Sequence, residues 1–399
     1  MKILFLNPSG QLGGGELSLL DLMASLRAER PEWNLALIAS AEGPLIARAN
    51  EIGVQTFVVP FPPDLAQLGD SAISGNSRLA VGARLAFSAP SVLRYRRDLA
   101  RAIRSFAPDV LHTNGFKMHV LGAMSVNGTP LVWHVRDFVG NRPIMARLMR
   151  HAAKSNIFAL ANSNAVADDL RNVLKGKIKV KAIYDAIDIM QFSPSGPTLD
   201  LDALSVLPTS SPQVVRVGLV ATFAFWKGHE VFLRAIALLP EKLNVRGYVI
   251  GGEIYQTSGS QISLAKLRAL ASELGISDRV GFTGQVADSA AAMRSLDIVV
   301  HASTRPEPFG RVIVEAMACG RAVITSASGG SAELVTSEVD ALTHTAGDAQ
   351  SLADAISRLA ASADLRQKLT ASGLDHARTH FDLKRLASEL APIYEGRAS

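Results

Sequence analysis

The sequence predicts an α/β protein of two domains, each built on a parallel β-sheet that helices cover on both faces. At 399 residues the chain is long for one hydrophobic core and has the size of two ordinary domains. Hydrophobic residues make up 48% of it and charged residues 19%, which is the composition of a globular protein. Short apolar segments alternate with amphipathic ones in both halves, as in sheets whose parallel strands are joined by helices.

The predicted elements follow this alternation along the chain. Strands of the first half are short apolar runs: Ile3–Asn7, Leu35–Ala39, Thr56–Val59, Val110–Thr113, Leu131–Val135 and Ile157–Ala161. The helices between them are Glu16–Arg30, Pro44–Ile52, Phe116–Val126, Met145–Ala153 and Ala165–Leu174. Strands of the second half are Val214–Ala221, Gly247–Gly251, Val280–Phe282, Ile298–Ala302 and Ala322–Thr325.

Composition also sets the predicted domain limits. Residues 1–190 form the first domain, and residues 191–213, which are rich in Pro, Ser and Thr, form a linker. Residues 214–380 form the second domain, and residues 381–399 carry a last helix, Leu383–Tyr394.

The bulk features predict a cytoplasmic protein. No apolar run reaches the roughly 18 residues of a membrane span, and the N-terminus enters a strand without the pattern of a signal peptide. The single cysteine, Cys319, excludes an internal disulfide and fits a reducing compartment. The net charge of +5 allows an anionic partner.

A loop and helix at residues 303–320 carry the strongest functional signal. Pro306 and Pro308 hold Glu307 in an extended corner, because proline fixes its own φ and keeps its predecessor out of the α region. The helix that begins near Gly310 offers the backbone N–H groups that follow Phe309, at Gly310, Arg311 and Val312, as an anion site. Glu315 lies about one turn inside that helix.

Two carboxylates around a phosphate site suit a ligand with hydroxyl groups at both ends, such as a nucleotide sugar. For two glutamates alone, the alternative is a solvated loop acid and an ordinary surface residue. The full motif P-E-P-F-G-R-V-I-V-E-A-M-A-C-G, however, closely resembles the signature of the retaining glycosyltransferases of family 4. The resemblance spans nearly the whole chain.

The resemblance implies a fold and several roles. It implies the GT-B fold, in which two Rossmann-like domains face each other across a cleft and the C-terminal helix crosses back to the first domain. It also implies that Glu307 contacts the donor sugar and Glu315 the ribose.

Further residues of the second half match the family's donor site. Lys227, in Phe225–His229, resembles the lysine that binds the donor diphosphate. Thr222 stands where the family has a companion arginine, which removes a charge-assisted contact worth about 1.5–3 kcal/mol. We expect Arg305 or Arg311 to replace it. Gly284, Gln285 and Val286 resemble the loop that meets the base, and Gly329-Gly330 with Glu333 matches a further element, which we interpret mainly as a turn.

In the first half, Gly14 and Gly15 lie in the first β–α turn. Consecutive glycines let the backbone approach a ligand closely. The alternative is that the glycines serve only to form a tight turn. The spacing is not the G-x-G-x-x-G of a dinucleotide site, which disfavours a nicotinamide enzyme. In the family these glycines lie beside the donor phosphates and the acceptor.

His134 ends a predicted strand, where open α/β sheets place their chemistry. The family commonly has a histidine there that contacts the donor sugar, so we assign His134 a catalytic role; the alternative is a core histidine. His112 is a second, weaker candidate. Asp185-Ala186 stands where the family usually has an Asn-Gly turn.

A basic segment, Arg78 to Arg104, contains one acid, Asp98. Pro90 is predicted to divide it into two helices, the second basic and amphipathic. Its arginines form either a solvated face or a contact with an anionic membrane or lipid-linked acceptor: Arg94, Arg96, Arg97 and Arg101.

The sequence thus predicts a retaining glycosyltransferase that moves a sugar from a UDP- or GDP-sugar to a hydroxyl of a glycan or lipid-linked acceptor, in cell-surface polysaccharide synthesis. The nucleotide sugar is a co-substrate, and we expect no cofactor, metal or nucleic acid. We expect peripheral attachment to the inner face of the cytoplasmic membrane. The alternatives are a GT-B nucleotide-sugar epimerase and a non-catalytic nucleotide-sugar-binding protein; Thr222 and the missing Asn-Gly turn favour the latter.

Overall fold

The computed structural model describes residues 1–62, 78–126, 128–253 and 261–396, and it divides into two compact units. The first consists of Met1–Ala186 together with Leu383–Ser399, and the second of Ile187–Asp382. The first unit is therefore discontinuous in sequence, since the C-terminal helix returns to it.

The first unit contains seven strands and seven helices among the described residues. The strands are β1 (Lys2–Asn7), β2 (Asn34–Ala39), β3 (Gln55–Val58), β4 (Val110–Asn114), β5 (Leu131–Val135), β6 (Ile157–Ala161) and β7 (Lys179–Ala182). The helices are α1 (Gly14–Glu29), α2 (Pro44–Glu51), α3 (Arg78–Phe106), α4 (Phe116–Ser125), α5 (Pro143–Ala152), α6 (Asn164–Leu174) and, at the end of the chain, α14 (Lys384–Tyr394).

The strands of this unit form one parallel sheet in the order β3-β2-β1-β4-β5-β6-β7. Strands β4 and β5 are buried along their whole length, because helices cover both faces of the sheet. The strand order reverses between β1 and β4, which is where sheets of this type bind ligands.

The second unit repeats the design with six strands and seven helices among its described residues. The strands are β8 (Val215–Val220), β9 (Val245–Ile250), β10 (Val280–Gly284), β11 (Ile298–His301), β12 (Ala322–Thr325) and β13 (Leu342–Thr343). The helices are α7 (Leu201–Leu204), α8 (His229–Leu238), α9 (Leu264–Glu273), α10 (Ser289–Arg294), α11 (Arg311–Ala318), α12 (Ala349–Ala361) and α13 (Ala363–His380). The parallel sheet has the order β10-β9-β8-β11-β12-β13, so its strand order reverses between β8 and β11.

Helix α3 differs from its prediction. Pro90 lies inside one continuous helix, Arg78–Phe106, and does not divide the segment into two. A proline in a helix interior removes its own hydrogen bond, and the turns on either side can remain helical around the resulting kink. No helix among the described residues combines the length and apolar character that crossing a bilayer requires.

The segment predicted as a linker, 191–213, lies within the second unit. The Arg294 side chain donates to the carbonyl oxygens of Gln191, Ser193 and Pro197. Further along, the Asp202 carboxylate accepts from Tyr248 Oη at 2.6 Å and so ties helix α7 to β9. A composition of Pro, Ser and Thr does not reveal such bonds, since they are made by residues about 45 to 105 positions away.

Candidate active site

Lys227 and Glu307 meet at the point of the second sheet where the strand order reverses. Lys227 ends a short 3₁₀ turn, Phe225–Lys227, that follows β8, and Glu307 lies in the loop that follows β11. Lys227 Nζ donates to both carboxylate oxygens of Glu307, at 2.9 Å each. Lys227, predicted to bind the diphosphate, and Glu307, predicted to contact the sugar, therefore form one ion pair.

Two side chains besides Lys227 hold the Glu307 carboxylate. Ser303 Oγ donates to Glu307 Oε2 at 2.6 Å, and His301 Nε2 lies 3.4 Å from the same oxygen. His301 Nδ1 in turn lies 3.0 Å from Thr325 Oγ1. Burial by itself raises the Glu307 pKa, but the Lys227 ammonium, with His301 and Ser303, outweighs it and holds the pKa well below its usual range.

The backbone of Glu307 is fixed by the turn at Ser328 to Gly330. Glu307 N donates to Ser328 O at 2.9 Å, and Gly330 N donates to Glu307 O at 2.7 Å. Gly329 has a φ of 72°, and a Cβ built on it would lie 2.7 Å from Glu307 O. The glycine pair that the sequence suggested as a turn is thus also a direct support of the carboxylate loop.

The position of Lys227 depends on Gly228. This residue has a φ of 77°, and a Cβ built on it would lie 1.9 Å from Ala302 O. Thr304 N donates to Trp226 O at 2.8 Å, so the lysine turn and the carboxylate loop are bonded through their backbones.

Helix α11 begins at Arg311, and Gly310 caps it with a φ of 102°. Phe309 is buried and contacts Phe381 edge to face, at 6.0 Å between ring centroids. Arg311 Nε donates to Glu315 Oε1 at 3.0 Å. Glu315, predicted to bind ribose, is thus a buried carboxylate with an arginine partner.

The remaining residues predicted for the donor lie around this helix and loop or at the ends of neighbouring strands. Thr222 follows β8 and is half-buried, Val312 is half-buried in α11, and Arg305 is exposed on the Glu307 loop. Gly284 ends β10 with a φ of 72°, and its carbonyl accepts from Gly251 N at 3.0 Å. Gln285 is exposed and Val286 half-buried.

In the first unit, Gly14 and Gly15 open helix α1. A Cβ built on either of them would meet no atom within 4 Å, and neither has a positive φ. Glu16 Oε2 accepts from Gly13 N at 3.2 Å and caps the helix start. Neither backbone conformation nor packing in the described chain requires glycine at these two positions.

His134 lies on β5 and is 1% exposed. Its Nδ1 lies 3.1 Å from Arg136 Nη2, and its ring packs edge to face on His112, at 5.3 Å between centroids. His112 Nδ1 lies 2.8 Å from Tyr394 Oη of helix α14. Burial, and then the charge of Arg136, lowers the pKa of both histidines well below the usual range, so both are neutral.

The basic residues predicted for a membrane or acceptor lie on α3. Arg94, Arg97 and Arg101 are exposed, and Arg96 is half-buried. Asp98 pairs with Arg101 at 3.2 Å. The opposite side of the helix buries apolar residues in the core of the first unit: Tyr95, Leu99, Ile103 and Phe106.

The structure brings Lys227 together with Glu307, and Arg311 with Glu315, in the second unit; His134, Gly14 and Gly15 lie in the first. Sequence reasoning missed Ser303 and His301, which bond to Glu307. His301 ends β11 and Ser303 follows that strand, so their closeness to Glu307 in sequence was the available signal.

Two family models match the chain, and together they span most of it. The model of Glycosyltransferase Family 4 matches residues 12–191, and the model of Glycosyl transferases group 1 matches residues 212–375. The chain belongs to glycosyltransferase family 4. The family assigned from the motif around Glu307 and Glu315 is thereby confirmed.

Relatives of this chain include two mannosyltransferases. The lipopolysaccharide core biosynthesis mannosyltransferase LpcC of Rhizobium leguminosarum is 28% identical over 66% of this chain and 77% of its own length. The phosphatidyl-myo-inositol mannosyltransferase of Mycobacterium leprae is 29% identical over 88% of this chain and 89% of its own.

Among solved structures, Anabaena HepE in complex with UDP has a TM-score of 0.77 at 26% identity, and the match covers 99% of this chain and 100% of that one. Its complex with UDP-glucose has a TM-score of 0.79. These matches confirm the GT-B fold.

Proposed function

We propose that this family 4 glycosyltransferase transfers a sugar, with retention of configuration, from a nucleoside-diphosphate sugar to a hydroxyl of a glycan or lipid-linked acceptor. The observation that carries the proposal is the Lys227–Glu307 pair at the reversal of strand order in the second sheet. The pair supplies a cation that can bind a diphosphate and a carboxylate that can accept from sugar hydroxyls. The two charged groups are hydrogen-bonded to each other.

The charges of the pair suit the leaving group. As the bond between the anomeric carbon and the diphosphate oxygen breaks, negative charge grows on that oxygen. Lys227 then stabilises the charge from a position fixed in advance, as do the N–H groups at the start of α11. We therefore expect a reaction that requires no metal ion.

Glu307 acts as a hydrogen-bond acceptor in this scheme. Its lowered pKa keeps it ionised at neutral pH, so it has no proton to give to the leaving group. The acceptor hydroxyl attacks the anomeric carbon on the face from which the diphosphate departs. The departing phosphate oxygen takes the hydroxyl proton, and the new glycosidic bond replaces the one that breaks.

The relatives suggest which donors to examine first. HepE was solved with UDP-glucose, and both mannosyltransferase relatives are named for mannose. We propose a UDP-hexose as the donor, and a mannosyl donor as the second candidate. The lipopolysaccharide and phosphatidylinositol relatives likewise favour an acceptor of cell-surface glycan or glycolipid synthesis.

The exposed arginines of α3 support a location at a membrane surface for that synthesis. They lie opposite the helix face that packs in the core, beside Leu93, which is 60% exposed. Arginines next to an apolar side chain suit the surface of an anionic membrane. We propose that the enzyme works in the cytoplasm, attached peripherally to the inner face of the membrane.

The test is a thermal-shift screen with UDP, GDP, ADP and their sugars, followed by assays of donor turnover with and without EDTA. A ligand at about 100 times its Kd stabilises the fold by about 2.7 kcal/mol. We expect one nucleotide to stabilise the protein and its sugar to be hydrolysed slowly without acceptor. Conversion of the donor sugar to its epimer would instead identify an epimerase. Binding of the nucleotide sugar without turnover, even when membrane extracts are supplied as acceptor, would identify a binding protein.

A further inference from the structure

The two carboxylate oxygens of Glu307 differ in the number of their partners. Oε2 accepts from Ser303 Oγ at 2.6 Å and from Lys227 Nζ at 2.9 Å, and His301 Nε2 lies 3.4 Å from it. Oε1 accepts from Lys227 Nζ at 2.9 Å, its one hydrogen-bond partner among the described residues. Because a carboxylate offers about two lone-pair sites on each oxygen, Oε2 is saturated and Oε1 can still accept.

Lys227 is the partner that the proposed reaction draws away from Glu307. Its side chain is 24% exposed, whereas Ser303 is fully buried and His301 is 4% exposed. In the proposed function Lys227 binds the donor diphosphate, so its ammonium turns from the carboxylate to the phosphate oxygens. Oε2 then retains two buried donors, and Oε1 retains none. The bound donor thus leaves Oε1 as the open acceptor of this carboxylate.

Ser303 and His301 are held at the end of the strand that precedes Glu307. His301 is the last residue of β11, and its carbonyl oxygen accepts from Ser326 N at 3.0 Å, just beyond β12. The ring is fixed as well, because His301 Nδ1 lies 3.0 Å from Thr325 Oγ1. An ionised carboxylate only accepts, so the ring nitrogen that faces Glu307 carries a hydrogen. Both donors therefore belong to the rigid sheet.

The side chain of Glu307 needs such support, although its backbone is already fixed by the turn at Ser328 to Gly330. Several rotatable bonds separate that backbone from the carboxylate, and their freedom has to be removed by side-chain contacts. We propose that Ser303 is a positioning residue, which together with His301 keeps Glu307 Oε2 in place so that Oε1 accepts from a hydroxyl of the donor sugar. The inference rests on the proposed function, since it requires a sugar ligand.

The competing explanation is purely structural. A hydroxyl that donates to a carboxylate with 12% side-chain exposure also satisfies a group that is costly to leave unpaired. Both explanations predict that the protein is less stable without the Ser303 hydroxyl. Positioning alone predicts a loss of turnover that disappears when Glu307 is absent, and a carboxylate that stays in place without Lys227.

The first experiment needs no ligand. The crystal structure of Lys227→Met shows where the carboxylate goes when the ammonium is removed. We expect Glu307 Oε2 to remain within about 3 Å of Ser303 Oγ, and the carboxylate to turn away in the double variant Lys227→Met/Ser303→Ala. A carboxylate that leaves Ser303 in the single variant, or stays in place in the double variant, would overturn the proposal. A failed donor screen would remove the proposed function and leave this result standing.

The second experiment is a double-mutant cycle on hydrolysis of UDP-glucose. We expect Ser303→Ala to lower kcat/KM about tenfold in the wild-type background, the effect of one hydrogen bond to a charged group, and about twofold or less in Glu307→Ala. The Kd for bare UDP should change by about twofold or less, because Ser303 bonds to the carboxylate and not to the diphosphate. Equal losses of kcat/KM in both backgrounds would overturn the proposal.

Ser295→Ala is the matched control, since Ser295 is a buried serine of the same unit. Its hydroxyl donates to Ala291 O at 2.9 Å and accepts from Leu199 N at 2.7 Å, away from the Glu307 loop. We expect it to lower the unfolding temperature and leave kcat/KM unchanged. Thermal unfolding checks each variant, and Ser303→Cys, a weaker donor, takes the place of Ser303→Ala under the same criterion if the latter does not fold.

Discussion

Glu307 and Glu315 each have a cationic partner within 3.0 Å, but they differ in what a ligand must do to reach them. In the proposed reaction, the donor diphosphate competes with Glu307 for Lys227. We expect Glu307→Ala to leave UDP affinity unchanged or higher, because it frees Lys227, while donor turnover falls at least a hundredfold.

For Glu315→Ala we expect weaker UDP binding, since the ribose hydroxyls lose an acceptor and Arg311 loses its partner. Isothermal titration with bare UDP measures both variants, and Glu338→Ala, at an exposed ion pair, is the control. Equal losses of UDP affinity at positions 307 and 315 would contradict the division of roles.

Gly14 and Gly15 permit a test in which stability and function move in opposite directions. Alanine at either position meets no neighbour, and alanine is favoured over glycine in a helix by roughly 0.5–1 kcal/mol. We expect Gly14→Ala and Gly15→Ala to unfold at the same temperature as the wild type or higher, and to lose activity. Differential scanning calorimetry and donor hydrolysis measure the two effects. Full activity in both variants would mean that this turn only starts helix α1 and has no role in activity.

His119 gives a pH dependence of stability. Burial, and then the charge of Arg136, lowers its pKa from 6.5 to about 3. The unfolded chain therefore binds a proton below pH 6.5 that the folded protein does not bind until about pH 3, so folding is favoured above 6.5 and loses free energy as pH falls through this window. The slope approaches about 1.4 kcal/mol per pH unit for each such histidine.

Urea unfolding at pH 7.5, 6.0 and 5.0 measures that slope. We expect His119→Gln to flatten it, because glutamine can keep a hydrogen bond to Thr113 without titrating. The control is His151→Gln, at an exposed position, which should leave the slope as in the wild type. An unchanged slope in His119→Gln would mean that His119 does not titrate on unfolding.

At the scale of elements, the turn that carries Lys227 depends on Gly228, where both a positive φ and a close backbone oxygen disfavour a side chain. Gly228 and Gly275 both have a positive φ, but only Gly228 has a backbone oxygen where a Cβ would lie. We expect Gly275→Ala to cost about 1–2 kcal/mol of backbone strain. Gly228→Ala should cost more and also weaken UDP binding, because Ala302 and the lysine turn must move apart. Equal costs, with UDP affinity intact, would show that the turn does not position Lys227.

The elements also show what a sequence can predict. Strands such as Leu131–Val135 were predicted correctly because burial on both faces leaves a continuous apolar run. Strands β7 and β13 were missed, since β7 is a lysine-rich edge strand and β13 has only two residues. The contact of Lys227 with Glu307 joins residues 80 positions apart, which local patterns do not encode. Asp185 was noticed only as a departure, because its partner Arg136 is 49 positions away.

At the scale of the whole molecule, the arginines of α3 are expected to direct the enzyme to its acceptor. Each basic residue near an anionic leaflet contributes about 1 kcal/mol. We expect sedimentation with liposomes that contain anionic lipid, and less of it as salt rises. Reversal of Arg94, Arg96, Arg97 and Arg101 to glutamate should abolish sedimentation and leave donor hydrolysis unchanged.

A matched control is the reversal of four exposed lysines of the same unit around β7: Lys175, Lys177, Lys179 and Lys181. This variant changes the net charge equally and should still sediment. Equal loss of binding in both variants would indicate attraction by net charge alone. Sedimentation that does not depend on lipid charge would indicate that the arginines of α3 form only a solvated face.

The return of the last helix to the first unit has a consequence for synthesis of the protein. Leu386 and Leu390 of α14 belong to the same hydrophobic cluster as Leu19 and Leu22 of α1. On the ribosome, residues 1–186 emerge first but lack this helix, whereas the second unit, Ile187–Asp382, is complete as soon as it has emerged. We infer that the part of the chain made first reaches its final packing last. A nascent chain stalled before Leu383 would expose apolar surface of the first unit to chaperones.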